Sequence, residues 1–141
     1  MSRLRRQAPV LVVIAAGGAA GSLARYAVSD WQAEPPGWPW ATLLVNVTGC
    51  FFVGVLMTVL ALLSAPHRLL RPFLGIGVLG GYTTFSTYAV DIQAMLVDGR
   101  YAAALLYLGL TPVTALLAVW LGSAGTREAL SRWNRGPEGA G

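Results

Sequence analysis

Four stretches of this chain run without a charged residue for long enough to cross a lipid bilayer: Ala8 to Ala24, Ala41 to Ala65, Pro72 to Val90 and Tyr101 to Thr126. A hydrocarbon core of about 30 Å takes ~20 helical residues, so each is a candidate span, the first with help from its flanks. With 55% of residues hydrophobic and 11% charged, the chain has too little polar surface for a water-soluble domain. The reading is an all-α membrane protein with four transmembrane helices at about 8–29, 41–65, 72–97 and 101–124. They form one membrane domain, 1–126, followed by a polar, frayed tail, 127–141. Arg3, Arg5 and Arg6 ahead of an apolar run ending near Ser22-Leu23-Ala24 also fit a secretory signal. The three further spans favour a bundle helix instead. Short connections join the spans, and Trp31, Trp38, Trp40, Trp120 and Trp133 mostly sit near span ends, where an aromatic belt belongs.

Enzyme chemistry has little to work with. Cys50 is the lone cysteine and lies in a span, which excludes a disulfide framework and reads as a small buried hydrophobe. The single histidine, His67, falls in a loop, Ser86 has no base to activate it, and neither a triad nor a metal-assisted site can be assembled.

Charge speaks to topology. All 10 basic residues are arginines. With four spans, Arg3, Arg5, Arg6, Arg68, Arg71, Arg127, Arg132 and Arg135 share one side, against Arg100 alone on the other. The positive-inside rule puts both termini in the cytoplasm. Arg25, at the end of the first span, either snorkels to the headgroups or has a functional role; Asp91, at the end of the third, presents the same choice.

The polar residues inside the spans follow a pattern. Thr42, Asn46, Gly49 and Val53 fall on one helical face, where Asn46 taken alone reads as interhelical glue more readily than as a pore residue. Gly17, Gly21 and Ala24, with Gly49 and Gly54, are small residues that allow close helix approach. Tyr107, Thr111 and Thr114 form a hydroxylated stripe on the fourth span, interrupted by Pro112.

The third span holds "GVLGGYTTFSTYAVD", in which Gly80 and Gly81 precede a dense run of hydroxyls. This predicts a helix break at Gly80 and Gly81, with a second half-helix starting at Thr84 to Thr87; a glycine packing surface without a break is the alternative. A break at bilayer depth frees carbonyls suited to a small hard cation and N–H groups suited to an anion. Phe85 and Tyr88 share a face of the second half-helix, either in core packing or with ring edges along an anion route.

Taken together, "GGYTTFSTY", "LLVNVTGCFFVG" and "GGAAGSLARY" closely resemble the Fluc (CrcB) fluoride channels, over nearly the whole membrane domain. The resemblance implies a passive fluoride-selective channel that exports fluoride through two pores in an antiparallel dimer. It also implies a structural, untransported sodium ion held by the carbonyls of Gly80 and Thr83 from each subunit. Asn46 matches a pore asparagine and Phe85 the first of two pore phenylalanines. Ser86 and Thr87 belong to the same motif, and Tyr88 departs from the second phenylalanine. Arg25 matches an arginine of the vestibule or the dimer packing, and Tyr107, Thr111 and Thr114 match a polar track loosely. The arginine bias favours a paired homologous chain of opposite orientation over self-pairing. The inner (plasma) membrane is the implied location. A proton-coupled multidrug exporter is the competing reading; it needs an embedded carboxylate, for which Asp91 is the one candidate.

Overall fold

The computed structural model describes residues 2–31, 37–63 and 65–134. Every element among them is helical. Helix α1 spans Ser2–Trp31 and α2 spans Trp40–Leu62. Helix α3 begins with π-type hydrogen bonding over Arg71–Leu79 and closes with one α-helical turn, Gly80–Tyr82. Helices α4, Phe85–Val97, and α5, Tyr101–Asn134, complete the chain. Helices α1, α2 and α5 are each long and apolar enough to cross a membrane. The expected third span is not one helix: residues 72–97 are divided between α3 and α4, each short of the ~20 residues a crossing needs.

Helix α1 packs along α3, α2 packs along α5, and α4 lies against α5. Much of the apolar surface faces outward, including Leu11, Leu23, Leu105, Leu116 and Trp120. Water would not tolerate that surface; lipid or another apolar chain does. Trp40, Trp120 and Trp133 are exposed as belt residues should be. Trp38 turns inward, its ring meeting Tyr107 edge-on with centroids 5.4 Å apart, and the side chain of Trp31 lies outside the described residues.

Two expectations change. Helix α5 continues to Asn134, past the apolar stretch, so the first part of the polar tail is helical and carries an Arg132–Glu128 ion pair at 2.7 Å. Residues 135–141 lie outside the described residues. The break in the third span also falls later than the glycines. Gly80 and Gly81 are helical, and the chain leaves the helix at Thr83 (ψ 156°) and Thr84 (φ −146°, ψ 122°).

Gly81 serves the packing alternative instead. A Cβ there would overlap the Gly18 carbonyl oxygen and stand 2.9 Å from Gly18 Cα, whereas a Cβ on Gly80 meets nothing nearer than Gly75 O at 3.7 Å. The same substitution at adjacent positions should therefore differ. Gly81→Ala is expected to destabilise the protein by roughly 1–3 kcal/mol, the range for overpacking against backbone, and Gly80→Ala to be nearly neutral. Thermal unfolding in detergent measures both, and equal midpoints would contradict the close α1–α3 approach.

Candidate functional site: a helix break clamped by an asparagine

The break exists because backbone groups of Thr84 are satisfied from another helix. An unbroken helix would send the Thr84 N–H to Gly80 O; it goes instead to Asn46 Oδ1 at 2.8 Å, and Asn46 Nδ2 donates to Thr84 O at 2.9 Å. One side-chain amide thus takes both backbone groups of one residue, in a place where lipid offers no partner. Thr42, Asn46 and Gly49 are all buried, so the face drawn from their spacing is the face that meets the break. Gly49 completes it, with Thr83 Cγ2 and Tyr82 where its own side chain would be.

Downstream, Thr84 is the N-cap of α4. Its Oγ1 accepts the Thr87 N–H at 3.1 Å and lies 2.9 Å from Thr87 Oγ1 and 3.3 Å from Ser86 Oγ. The N–H groups of Phe85 and Ser86, in the first turn, have no partner within the helix. Upstream, the severed end of α3 presents carbonyls. Gly81 O receives the Ser22 hydroxyl at 3.4 Å and Thr83 O the Arg25 guanidinium at 3.5 Å, both weak contacts, while Gly80 O has lost its helical donor to Asn46.

Two grooves meet at Thr84. One, of about 470 Å³, runs from the break to the proline of α5 and is lined by Asn46, Cys50, Phe85, Tyr88, Leu108 and Thr111 among others. Cys50 therefore borders a groove while remaining half-buried. Phe85 is 79% exposed there, and its ring centroid lies 5.6 Å from that of Tyr88. The other groove, of about 330 Å³, is lined by Ser22, Arg25, Tyr26, Ser29, Thr42 and Thr87. Asn46, Phe85, Ser86, Thr87 and Tyr88 are thus brought together around one point; Arg25 stands across the break from them.

The hydroxylated stripe of α5 divides. Thr114 bonds back to Leu110 O at 2.8 Å and Thr111 O at 3.0 Å, so its proton is used within its own helix. Tyr107, with no exposed surface, and Thr111 are buried, and their hydroxyls lie close to each other. Thr42, Tyr107 and the carboxylate of Asp91 lie together as one buried polar cluster. Asp91 was legible in the sequence only as a residue near a span end. Its position two turns after Thr84 on a helix whose first turn meets α2 was the available signal, and it needs the α4–α5 packing to be read.

Such an arrangement, in a helical protein built to cross a membrane, offers an ion backbone dipoles, hydroxyls, an amide and aromatic rings. Among the described residues, no group of His, Cys, Asp and Glu could hold a metal ion. A family model described as CrcB-like protein, Camphor Resistance (CrcB), matches residues 12–123, and the chain belongs to that family. A relative in Streptomyces coelicolor, fluoride-specific ion channel FluC 1, is 51% identical over 132 residues, covering 93% of this chain and 85% of the relative. Fluoride-specific ion channel FluC 2 of Nocardia farcinica is 50% identical over 121 residues, covering 85% and 86%. Fluoride-specific ion channel FluC of Rhizobium meliloti is 41% identical over 116 residues, covering 81% and 93%. The family is one of ion channels and not of enzymes.

Proposed function

We propose that this chain is a subunit of a passive, fluoride-selective channel. The observation that carries the proposal is the break at Thr83–Thr84, which turns the donor end of α4 into a groove walled by Phe85, Tyr88 and Asn46. Fluoride is small and tightly hydrated, so a pore must replace its water with donors. The second N–H of Asn46, the hydroxyls of Ser86 and Thr87, and the positive ring edges of Phe85 and Tyr88 would supply that replacement. None carries a full charge, so an ion would be held weakly enough to leave. Arg25 would attract anions at the vestibule, and the buried Tyr107 and Thr111 hydroxyls would extend the polar path. Thr114, bonded to its own helix, would contribute least.

Two chains in opposite orientation would complete the pores, with α3 and α4 together making the third of four crossings. A sodium ion at the dimer centre fits the oxygens present. Gly80 O lacks its helical donor, and Thr83 O has only the long Arg25 contact, which would yield to a cation. Two carbonyls from each of two subunits would form a hard-oxygen cage, and the ion would tie the severed ends of α3 together. A proton-coupled exporter would have to rely on Asp91; the relatives named as channels favour conduction.

Fluoride efflux from liposomes containing the purified protein tests the reading, with chloride as the control. Rapid fluoride loss without chloride loss is expected; equal rates, or no fluoride loss from liposomes holding the complete dimer, would overturn it. The arginine distribution would place both termini in the cytoplasm of the plasma-membrane-bound cell and make the partner a homologous chain of opposite bias. Reporter fusions at the C-terminus are expected to be active almost entirely on the inside. A large outside population would restore self-pairing.

A further inference from the structure

We propose that Tyr88 is a specificity-determining positioning residue, its hydroxyl masking a backbone carbonyl that Pro112 leaves open in the groove. In α5 the Leu108 carbonyl should accept from the N–H of residue 112, but proline has none. The Tyr88 hydroxyl donates to Leu108 O at 2.7 Å, replacing the missing donor from a different helix. Leu108, Pro112 and Tyr88 all line the groove that begins at the helix break, and Tyr88 is only 7% exposed.

The consequence is electrostatic. An open carbonyl oxygen in this groove would repel an anion and offer a ligand to a cation, which is the wrong preference for an anion path. The bond from the phenol occupies a lone pair of the oxygen and partly offsets its negative charge, and it also fixes the Tyr88 ring, whose centroid is 5.6 Å from that of Phe85 and 5.4 Å from that of Tyr107. A phenylalanine at this position would leave the carbonyl bare unless residue 112 had an N–H. Tyr88 and Pro112 therefore work as a pair in this chain, the proline opening the helix and the tyrosine closing its polar gap.

This inference rests on the fluoride-channel reading, and its test separates the two. Tyr88→Phe removes one oxygen and should fold. In liposomes it is expected to lower fluoride efflux roughly tenfold, the effect of one uncompensated buried acceptor, and to raise sodium leak. Placed in a Pro112→Ala background, where an N–H is restored to Leu108 O, the same change should have little effect on efflux or leak. Unchanged efflux and leak in Tyr88→Phe, or an equally large loss in both backgrounds, would overturn the inference. If the unaltered chain conducts no fluoride, it is the channel reading that fails, and the masking is judged by thermal unfolding of the same four proteins. A Tyr88→Phe shift that vanishes with Pro112→Ala supports the masking; additive shifts refute it.

Discussion

Asn46→Leu is expected to abolish fluoride efflux and to lower the thermal stability of the purified protein at the same time. The leucine fills the space but leaves the buried Thr84 N–H without a partner and removes the Asn46 donor from Thr84 O, which as the N-cap carbonyl keeps only its bond within α4. One buried unsatisfied N–H costs ~1–3 kcal/mol, a large fraction of the whole stability of a small domain. A polar replacement is no remedy by itself. Asn46→Asp keeps an acceptor for the Thr84 N–H but sets a second oxygen against Thr84 O, so it should fail alongside leucine at neutral pH. Unfolding midpoints and efflux for both variants check this. A leucine variant that is stable and fully conducting would mean that the amide neither holds the break nor meets the ion.

The second large effect should leave folding untouched. Phe85 is 79% exposed, with its ring beside that of Tyr88, so Phe85→Ile should change stability by about 0.5 kcal/mol or less. It removes the polarised ring edge while keeping an apolar side chain of similar bulk. Efflux is expected to fall by tenfold or more, equivalent to ~1.4 kcal/mol or above at the barrier. Normal efflux from a well-folded variant would take the ring out of the conduction path. The two variants together distinguish positions that hold the site from positions that face the ion: Asn46 moves both observables, Phe85 only one.

Reading the chain residue by residue explains which parts of this site were visible beforehand. The start of α4 at Thr84 to Thr87 was legible because a capping hydroxyl before a helical run is a local signal, and the Thr84 cap on the Thr87 N–H is the expected bond. The face of Thr42, Asn46 and Gly49 was legible from helical spacing alone. The break itself was placed too early, at Gly80 and Gly81, since glycine signals both a weak helix and a close contact, and spacing does not say which. The backbone of Gly18 decides for contact at Gly81. Asn46 was read first as glue between helices, and it does join them, although its partner is the backbone of a break and not another side chain. Tyr88 and Pro112 each stood out in the sequence, yet the carbonyl that joins them belongs to Leu108, a residue with no signal of its own.

Uncharged length and the alternation of small, polar and aromatic residues along each stretch were enough to determine a helical membrane protein, its helical faces and the neighbourhood of its interrupted span, because these follow from hydrophobic burial and local hydrogen bonding. The tertiary structure alone decided where the interruption falls and which groups border it. Asn46 and Thr84 are 38 positions apart, Tyr88 and Leu108 are 20 apart, and in lipid each unmatched backbone group must find a partner wherever packing brings one within about 3 Å. That choice is made between helices, so no single stretch of the chain contains it.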